Sequence, residues 1–275
     1  MNRKIILVVL LSIFLSACNK GSAVKATPTP DARRQLINDL DYSKRPFVAV
    51  FPHSSNKLLT LYVDNIAPEF KNLILDLEYL SGNALKGGRT SIGFPTSMPF
   101  TQAFLLGSCS SGGRCSFDTD LISGNLKNRL ETDSQTDIHI LKSDFVFVTK
   151  GQAITSDSRV SYQPSDKVVN QIIQNTQGLP KAIDGQLAYP PIALTSVSNK
   201  KVAGQLSFRV SGIKTVMIYD GNSFQPLKAD ISSDEVKVNL TQTPWSKTVQ
   251  IIRDDLKGAS ETQDLFLVGP IILLQ

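Results

Sequence analysis

Between residue 46 and the C-terminus, apolar and polar positions alternate with the period of a strand. Phe47-Val48-Ala49-Val50-Phe51 is a compact apolar run; Leu59, Leu61 and Val63 alternate with Thr60 and Tyr62. Leu73, Leu75, Leu77 and Tyr79 alternate with Asp76 and Glu78. A period of two sends successive side chains to opposite faces, so these stretches predict strands with one face on a core and one in water. Further strands are expected at residues 90–94, 102–108, 121–131 and 138–149. Turn-rich segments separate them: Pro52 to Asn56, Asp64 to Asn72, Ser81-Gly82-Asn83 and Gly87-Gly88. The last third repeats the pattern at Leu206 to Val210, Val216 to Tyr219, Phe224 to Leu227, Val236 to Leu240, Val249 to Ile252 and Leu265 to Val268. Asp220-Gly221 supplies the positive φ values of a tight hairpin turn, and Ile271 to Leu274 reads as a last strand.

Two stretches read as helical instead. Thr29 as N-cap, Pro30 at the first helical position and Asp31 in the first turn open a short helix with the stripe Leu36, Ile37 and Leu40, ending near Tyr42. The alternative there is a plain continuation of the polar segment before it. Ser165 caps the second helix, Val168, Val169, Ile172 and Ile173 fall on one face, and Gly178 with Pro180 stops it. The polar, aperiodic residues 150–164 mark a boundary before it. The expected fold is all-β and mainly antiparallel: an immunoglobulin-like β-sandwich domain over residues 32–150, then a second β-rich domain over 151–275 with one amphipathic helix.

The first thirty residues break the alternation. Arg3 and Lys4 precede the unbroken apolar run Ile5 to Leu11, then Ser12 and Ile13-Phe14-Leu15. That is the charged start and apolar centre of a secretory signal, shorter than the roughly 20 apolar residues that span a bilayer. It ends in Leu15-Ser16-Ala17-Cys18, which resembles the bacterial lipoprotein signal, where small residues precede an invariant cysteine. The resemblance covers residues 1–18. It implies that residues 1–17 are removed, that Cys18 becomes the N-terminus, and that its sulfur carries a diacylglycerol. Each buried CH₂ contributes about 0.8 kcal/mol, so two or three acyl chains make a stable anchor. By the same resemblance the protein is exported and its partner is a membrane, facing periplasm or cell surface. Asn19 stands where an aspartate would mark inner-membrane retention in Gram-negative sorting. Residues 18–31 are small, polar and proline-containing, the composition of a flexible tether.

The chain has 29 basic and 24 acidic residues, a formal charge of +5. Loss of Arg3 and Lys4 with the signal leaves +3 over 258 residues. Basic residues cluster only as the pairs Arg33-Arg34 and Lys200-Lys201, not as the stripe of a nucleic-acid binder or a polybasic membrane patch. No nucleic-acid partner is expected. With Cys18 lipidated, Cys109 and Cys115 remain, separated by five flexible residues. In an exported chain this predicts a disulfide, contributing about 2 kcal/mol by loop entropy. A redox dithiol has two intervening residues, and a zinc site would need two more ligands, with only His53 and His139 to supply histidine.

Candidate chemistry is sparse. A serine nucleophile would need His53, in the turn Pro52-His53-Ser54-Ser55, or His139, on a strand, as base. There is no G-x-S-x-G elbow. S-x-x-K occurs at Ser22/Lys25, Ser54/Lys57, Ser198/Lys201 and Ser211/Lys214 without companion motifs, which is chance recurrence. The acidic stretch Asp118, Asp120, Glu131, Asp133 and Asp137 holds carboxylates of the kind glycosidases pair. Asp118-Thr119-Asp120 offers oxygens to calcium without the full binding loop; a solvated loop beside the cysteine ring is the competing reading. No phosphate-loop or dinucleotide fingerprint occurs, so no cofactor or metal is expected. Trp245, with Tyr62, Tyr79, Tyr162, Tyr189 and Tyr219, is the best hint of a sugar platform. The sequence therefore predicts a non-catalytic binding, adhesion or structural module with an envelope protein or glycan partner. An envelope hydrolase acting on glycan or peptide at Asp118–Asp137 is the alternative, and a subunit of an envelope assembly is a third reading.

Overall fold

A computed structural model of the chain describes residues 33–94, 96–134, 136–148, 151–165 and 170–275. The signal segment, the tether, the expected cap residues Thr29, Pro30 and Asp31, and Val168 and Val169 lie outside the described residues. The strands are β1 Arg34–Ile37, β2 Phe47–Pro52, β3 Leu58–Asp64, β4 Asn72–Ser81, β5 Ala84–Gly93, β6 Phe100–Leu105 and β7 Gly107–Cys109. They continue with β8 Cys115–Phe117, β9 Leu121–Glu131, β10 Asp137–Phe147, β11 Ala153–Ile154, β12 Val160–Pro164, β13 Gln171–Asn175 and β14 Ile192–Ser196. The last are β15 Val202–Phe208, β16 Thr215–Tyr219, β17 Phe224–Pro226, β18 Asp230–Ile231, β19 Val236–Gln242, β20 Trp245–Arg253 and β21 Ala259–Leu274. Among the described residues the only helical turns are single 3₁₀ turns at Tyr42–Lys44 and Asp254–Leu256.

One large sheet organises the rest. Its strands run β17-β16-β21-β14-β13-β10-β9-β4-β5, with β1 on β10 and β20 on β21. All pairings are antiparallel except β1 with β10. β21 borders β20 along Ala259–Leu267 and β16 along Ile271–Leu274. Pro270, which has no N–H to give a ladder, falls in the gap between these two partners. Arg33–Gln275 form one compact unit, and the sheet runs through the boundary expected at residues 150–164, β10 pairing directly with β13.

The large sheet has a layer on each face. On one side lies the three-stranded sheet β2-β3-β6. Its strands β2 and β3 are buried on both faces, which is why Phe47 to Phe51 is apolar without interruption. Val48, Val50, Leu59, Leu61 and Val63 pack on Leu73, Leu75 and Leu77 of β4, Leu126 and Leu130 of β9, and Phe145 of β10. Phe47, Ala49, Phe51 and Tyr62 turn the other way, against Val249, Ile251, Leu265 and Leu267 of β20 and β21. On the opposite side of the large sheet, the five-stranded sheet β11-β12-β15-β19-β18 builds a third core. Val160, Tyr162, Leu206, Phe208 and Val238 meet Ile173, Leu194, Val216 and Ile271 there. Adjacent residues of β13 therefore serve different cores, Ile172 the first and Ile173 the third.

The all-β, layered, antiparallel expectation holds, and the strands of residues 45–150 share their large sheet with strands of the last third. Both helices are corrected. Gln171–Asn175 is a strand, with Ile172, Ile173 and Gln174 all buried. A short apolar run does not distinguish a doubly buried strand from a helix by period, and the two β-branched isoleucines favour the strand. Leu36 and Ile37 lie in β1, whose ladder with β10 overrides their helical spacing. Gly87 and Gly88 lie inside β5 and not in a turn. A Cβ on Gly88 would stand 2.6 Å from the Phe104 ring, so the close approach of these layers requires glycine.

One polar contact ties the central sheet to the large one. Only one edge of β2 is paired in its sheet. On the other, the Val50 N–H donates to Gln174 Oε1 at 2.8 Å, while Gln174 Nε2 donates to the Val50 oxygen at 2.8 Å. Thr195 Oγ1 donates to the same oxygen at 2.9 Å. Gln174→Met keeps the volume but leaves the Val50 N–H without an acceptor. We expect a loss of about 1–3 kcal/mol, read as a lower urea midpoint with an unchanged slope.

Candidate ligand cleft

A cleft of about 540 Å³ opens where the β2–β3 turn, the segment after β8, the end of β10 and the start of β13 meet. Each wall has a local cause. In the β2–β3 turn the His53 N–H donates to Leu58 O at 3.2 Å and the Asn56 N–H to His53 O at 3.0 Å, with Asn56 at φ 60°. The buried His53 ring takes part: its Nδ1 accepts the Ser55 N–H at 3.1 Å. Nδ1 is thus an acceptor for the Ser55 hydroxyl as well, at 2.8 Å. The ring proton is left on Nε2, which faces Glu261 Oε1 at 3.4 Å. Glu261 is held in turn by Arg253 Nη1 at 2.6 Å, and Arg253 grips Asp255 with two bonds of 3.0 and 2.7 Å.

The second wall rests on the disulfide hairpin. Cys109 and Cys115 are bridged across β7 and β8, as their setting predicts. At the base of this hairpin the Asp118 N–H donates to Leu106 O at 2.9 Å, and the Leu106 N–H to Lys57 O at 2.8 Å. Both Leu106 and Asp118 line the cleft, so the bridge fixes one of its borders. The Asp118 carboxylate accepts the Tyr79 hydroxyl at 2.7 Å and is paired with the Lys86 ammonium. Burial pushes the Asp118 carboxyl up, but Lys86 and Tyr79 outweigh it and hold it below the ordinary carboxylate range. Burial, then the bond to Asp118, raises the Tyr79 phenol.

The surface of the cleft is mostly apolar, with Leu58, Leu106, Leu121, Ile122, Phe147 and Val148 forming its walls. Its polar lining comes from His53, Asn56, Asp118, Thr119, Asp120, Asn170 and Gln171, and among the described residues no lysine or arginine lines it. Asp120 is exposed at the rim in the left-handed region, φ 53°, fixed by the Gly82 N–H donating to its backbone oxygen at 3.0 Å. Among the described residues no donor meets its carboxylate. Gln171 Oε1 is buried and likewise lacks a partner among the described residues. Apolar walls with a few convergent polar groups are the usual make-up of a small-ligand site.

The acidic stretch singled out from sequence does not form one site. Asp118 and Asp120 stand at the start of β9, Glu131 at its end, and the strand between them spans about 33 Å. Beyond it, Asp133 meets Lys71 at 3.7 Å and Asp137 meets Arg34 at 2.8 Å. Among the described residues no three His, Cys, Asp or Glu side chains converge in a way that could hold a metal ion. His139 lies at the far end of β10, 3.1 Å from Asp39 and edge-on to Phe70. Tyr62, Tyr79, Tyr162, Tyr189 and Tyr219 are all buried. Trp245 packs against Tyr219 and donates its Nε1–H to Gly269 O at 2.8 Å. These rings are core and corner material, which corrects the sugar-platform expectation. The sequence does not mark Glu261, because its partner His53 lies about two hundred positions away, nor Arg253 and Gln171, which no motif singles out.

Comparison with protein-family models, with curated proteins and with solved structures returned no match to any of them. Fold and cleft define the class without relatives: a layered antiparallel β protein with a largely apolar cleft.

Arg253 lowers both Asp255 and Glu261, working against burial in each case. A depressed carboxylate contributes stability above its unfolded value, and that contribution is lost as pH falls through the folded value. Melting temperature should therefore fall steeply below about pH 4. Arg253→Met leaves the Asp255 carboxylate, 3% exposed, without its cation. It should cost about 3 kcal/mol at neutral pH and flatten the acid limb in a series of thermal melts. Replacing both Cys109 and Cys115 by serine should cost about 2 kcal/mol, read in the same melts.

Proposed function

We propose that the chain is an exported lipoprotein, anchored to a membrane surface by lipid on Cys18, whose β-layered body is a non-catalytic binding module. The observation that carries the binding role is the cleft: apolar walls beside the exposed Asp120 carboxylate, for which the described residues offer no donor. The disulfide is compatible with an exported, non-cytoplasmic location. Among the described residues no helix is long and apolar enough to cross a membrane; in this reading the lipid on Cys18 supplies the anchorage. The tether of residues 18–31 would hold the body off the surface. An envelope protein or glycan is the partner class.

The hydrolase alternative is less well supported. Asp118 is committed to Lys86 and Tyr79 and held below the carboxylate range, the opposite of what a general acid needs.

Two measurements test the proposal. Full-length protein made in a bacterial host should incorporate labelled palmitate, and Cys18→Ser should abolish the label; a label that survives removes the anchor. Immobilised mature protein should retain a specific component of a bacterial envelope extract, and Ile122→Glu, at an exposed position of the cleft wall, should release it. Retention that ignores Ile122→Glu would move binding away from the cleft, and no retention by folded protein would overturn the binding module.

A further inference from the structure

The outer face of the five-stranded sheet carries a second feature, independent of the cleft. In β12 and β15, Val160, Tyr162, Leu206 and Phe208 point into the core, so Arg159, Ser161, Gln205, Ser207 and Arg209 face outward. In β19, Val236 and Val238 point inward, which turns Lys237 outward beside Ser207. The Arg209 N–H donates to Arg159 O at 2.8 Å, extending the ladder one residue beyond Val160 and Phe208. The two arginines thus stand directly opposite each other, both exposed. Like charges in that relation destabilise a sheet. Among the described residues neither guanidinium makes a direct ion pair with a carboxylate; Asp157 acts on Arg159 only through space, and no acid answers Arg209. Asp157, the nearest acid in sequence, spends its carboxylate on the Thr155 hydroxyl, the Tyr189 hydroxyl and the Arg159 backbone N–H. Lys237 is paired with Glu235 at 2.8 Å.

These groups line a concavity of about 420 Å³. Three basic side chains and one acidic one border it, Asp230 stands across the ladder from Lys237 and Asp157 acts on Arg159 from the margin, and Ser161, Ser207, Gln152 and Gln205 add neutral hydrogen-bonding groups. A carboxylate is satisfied by one bidentate arginine. Two facing guanidinium groups with hydroxyl and amide donors at the side match instead a tetrahedral oxyanion with three acceptor oxygens. We propose that this concavity binds a phosphoryl or sulfuryl monoester, held between Arg159 and Arg209. The occupant neutralises the repulsion that the bare sheet carries.

The same oxyanion could arrive on a soluble ester or on a lipid headgroup, and the experiment separates the two. The chain from residue 18 onward, with Cys18→Ser so that no acyl anchor interferes, is titrated at low ionic strength with phenyl phosphate and phenyl sulfate. In parallel it is floated with vesicles containing phosphatidic acid, the phospholipid that carries a phosphomonoester, with phosphatidylcholine vesicles as control. Arg159→Gln and Arg209→Gln should each weaken binding about tenfold, the worth of one charge-assisted hydrogen bond, and the double variant should abolish it. Ester binding lost in these variants assigns a soluble ligand. Flotation with phosphatidic acid vesicles alone, lost in the same variants, assigns a lipid headgroup. Both arginines are exposed, so the variants should fold, and in phosphate-free buffer Arg209→Gln should melt no lower than wild type because a repulsion is removed. Failure of the wild type to bind any probe, or equal binding by the double variant, would overturn the proposal. Neither result bears on the cleft, whose test uses Ile122.

Discussion

A strand edge buried inside a protein is the constraint on which this structure turns. A three-stranded sheet covered on both faces has no solvent to receive the N–H and C=O groups that its own ladder leaves unpaired. The open edge of β2 meets that requirement with side chains, the Gln174 amide and the Thr195 hydroxyl standing in for a neighbouring strand at Val50. Farther along, Gln263 repeats the device, donating to Pro52 O at 3.2 Å while accepting from the Thr60 hydroxyl at 2.5 Å. Buried amides with both ends engaged fix orientation as well as contact, so the layers meet in one register. Without them, the apolar surfaces of β2 and β3 would pack almost as well after a slide along the strand.

The alternation of apolar residues made most of the strands legible, because a period of two is imposed by the backbone and survives whatever the strand packs against. It worked best for β4, where Leu73, Leu75, Leu77 and Tyr79 are buried and their neighbours are not. It failed where a strand is buried on both sides. Ile172-Ile173 feeds two cores at once, and a continuous apolar run carries no period to read. It also gave no view of how the strands combine, since β1 and β10 pair across about a hundred residues and Thr60 meets Gln263 across 203. The cleft was half legible. Asp118, Asp120 and His53 drew notice as residue types, and the structure brings them to one opening. Its walls and its buried acceptor depend on elements that no local pattern connects.

The two surface features differ in chemistry in a way the fold explains. The cleft lies where three elements end together, so side chains from their last residues enclose a volume that is largely apolar. The arginine pair lies on the flat outer face of a sheet, where every second residue must be polar and the ladder decides which ones are neighbours. The first selects by shape and apolar contact, the second by charge and geometry. A protein that uses both could hold an apolar group of a partner at one surface and an anionic group at another.

The strand β21 has a consequence for the life of the chain before it is folded. It sits between β14 and β16 in the large sheet and contributes to two of the three cores, yet it comes last in chain order among the strands described. One face of the central sheet packs on β4, β9 and β10, and the other waits for β20 and β21. Topologies dominated by such distant pairings close slowly. The core between β2, β3, β4, β9 and β10 can form from the first half of the chain, whereas the other two cores are complete only when the last described strand enters the sheet.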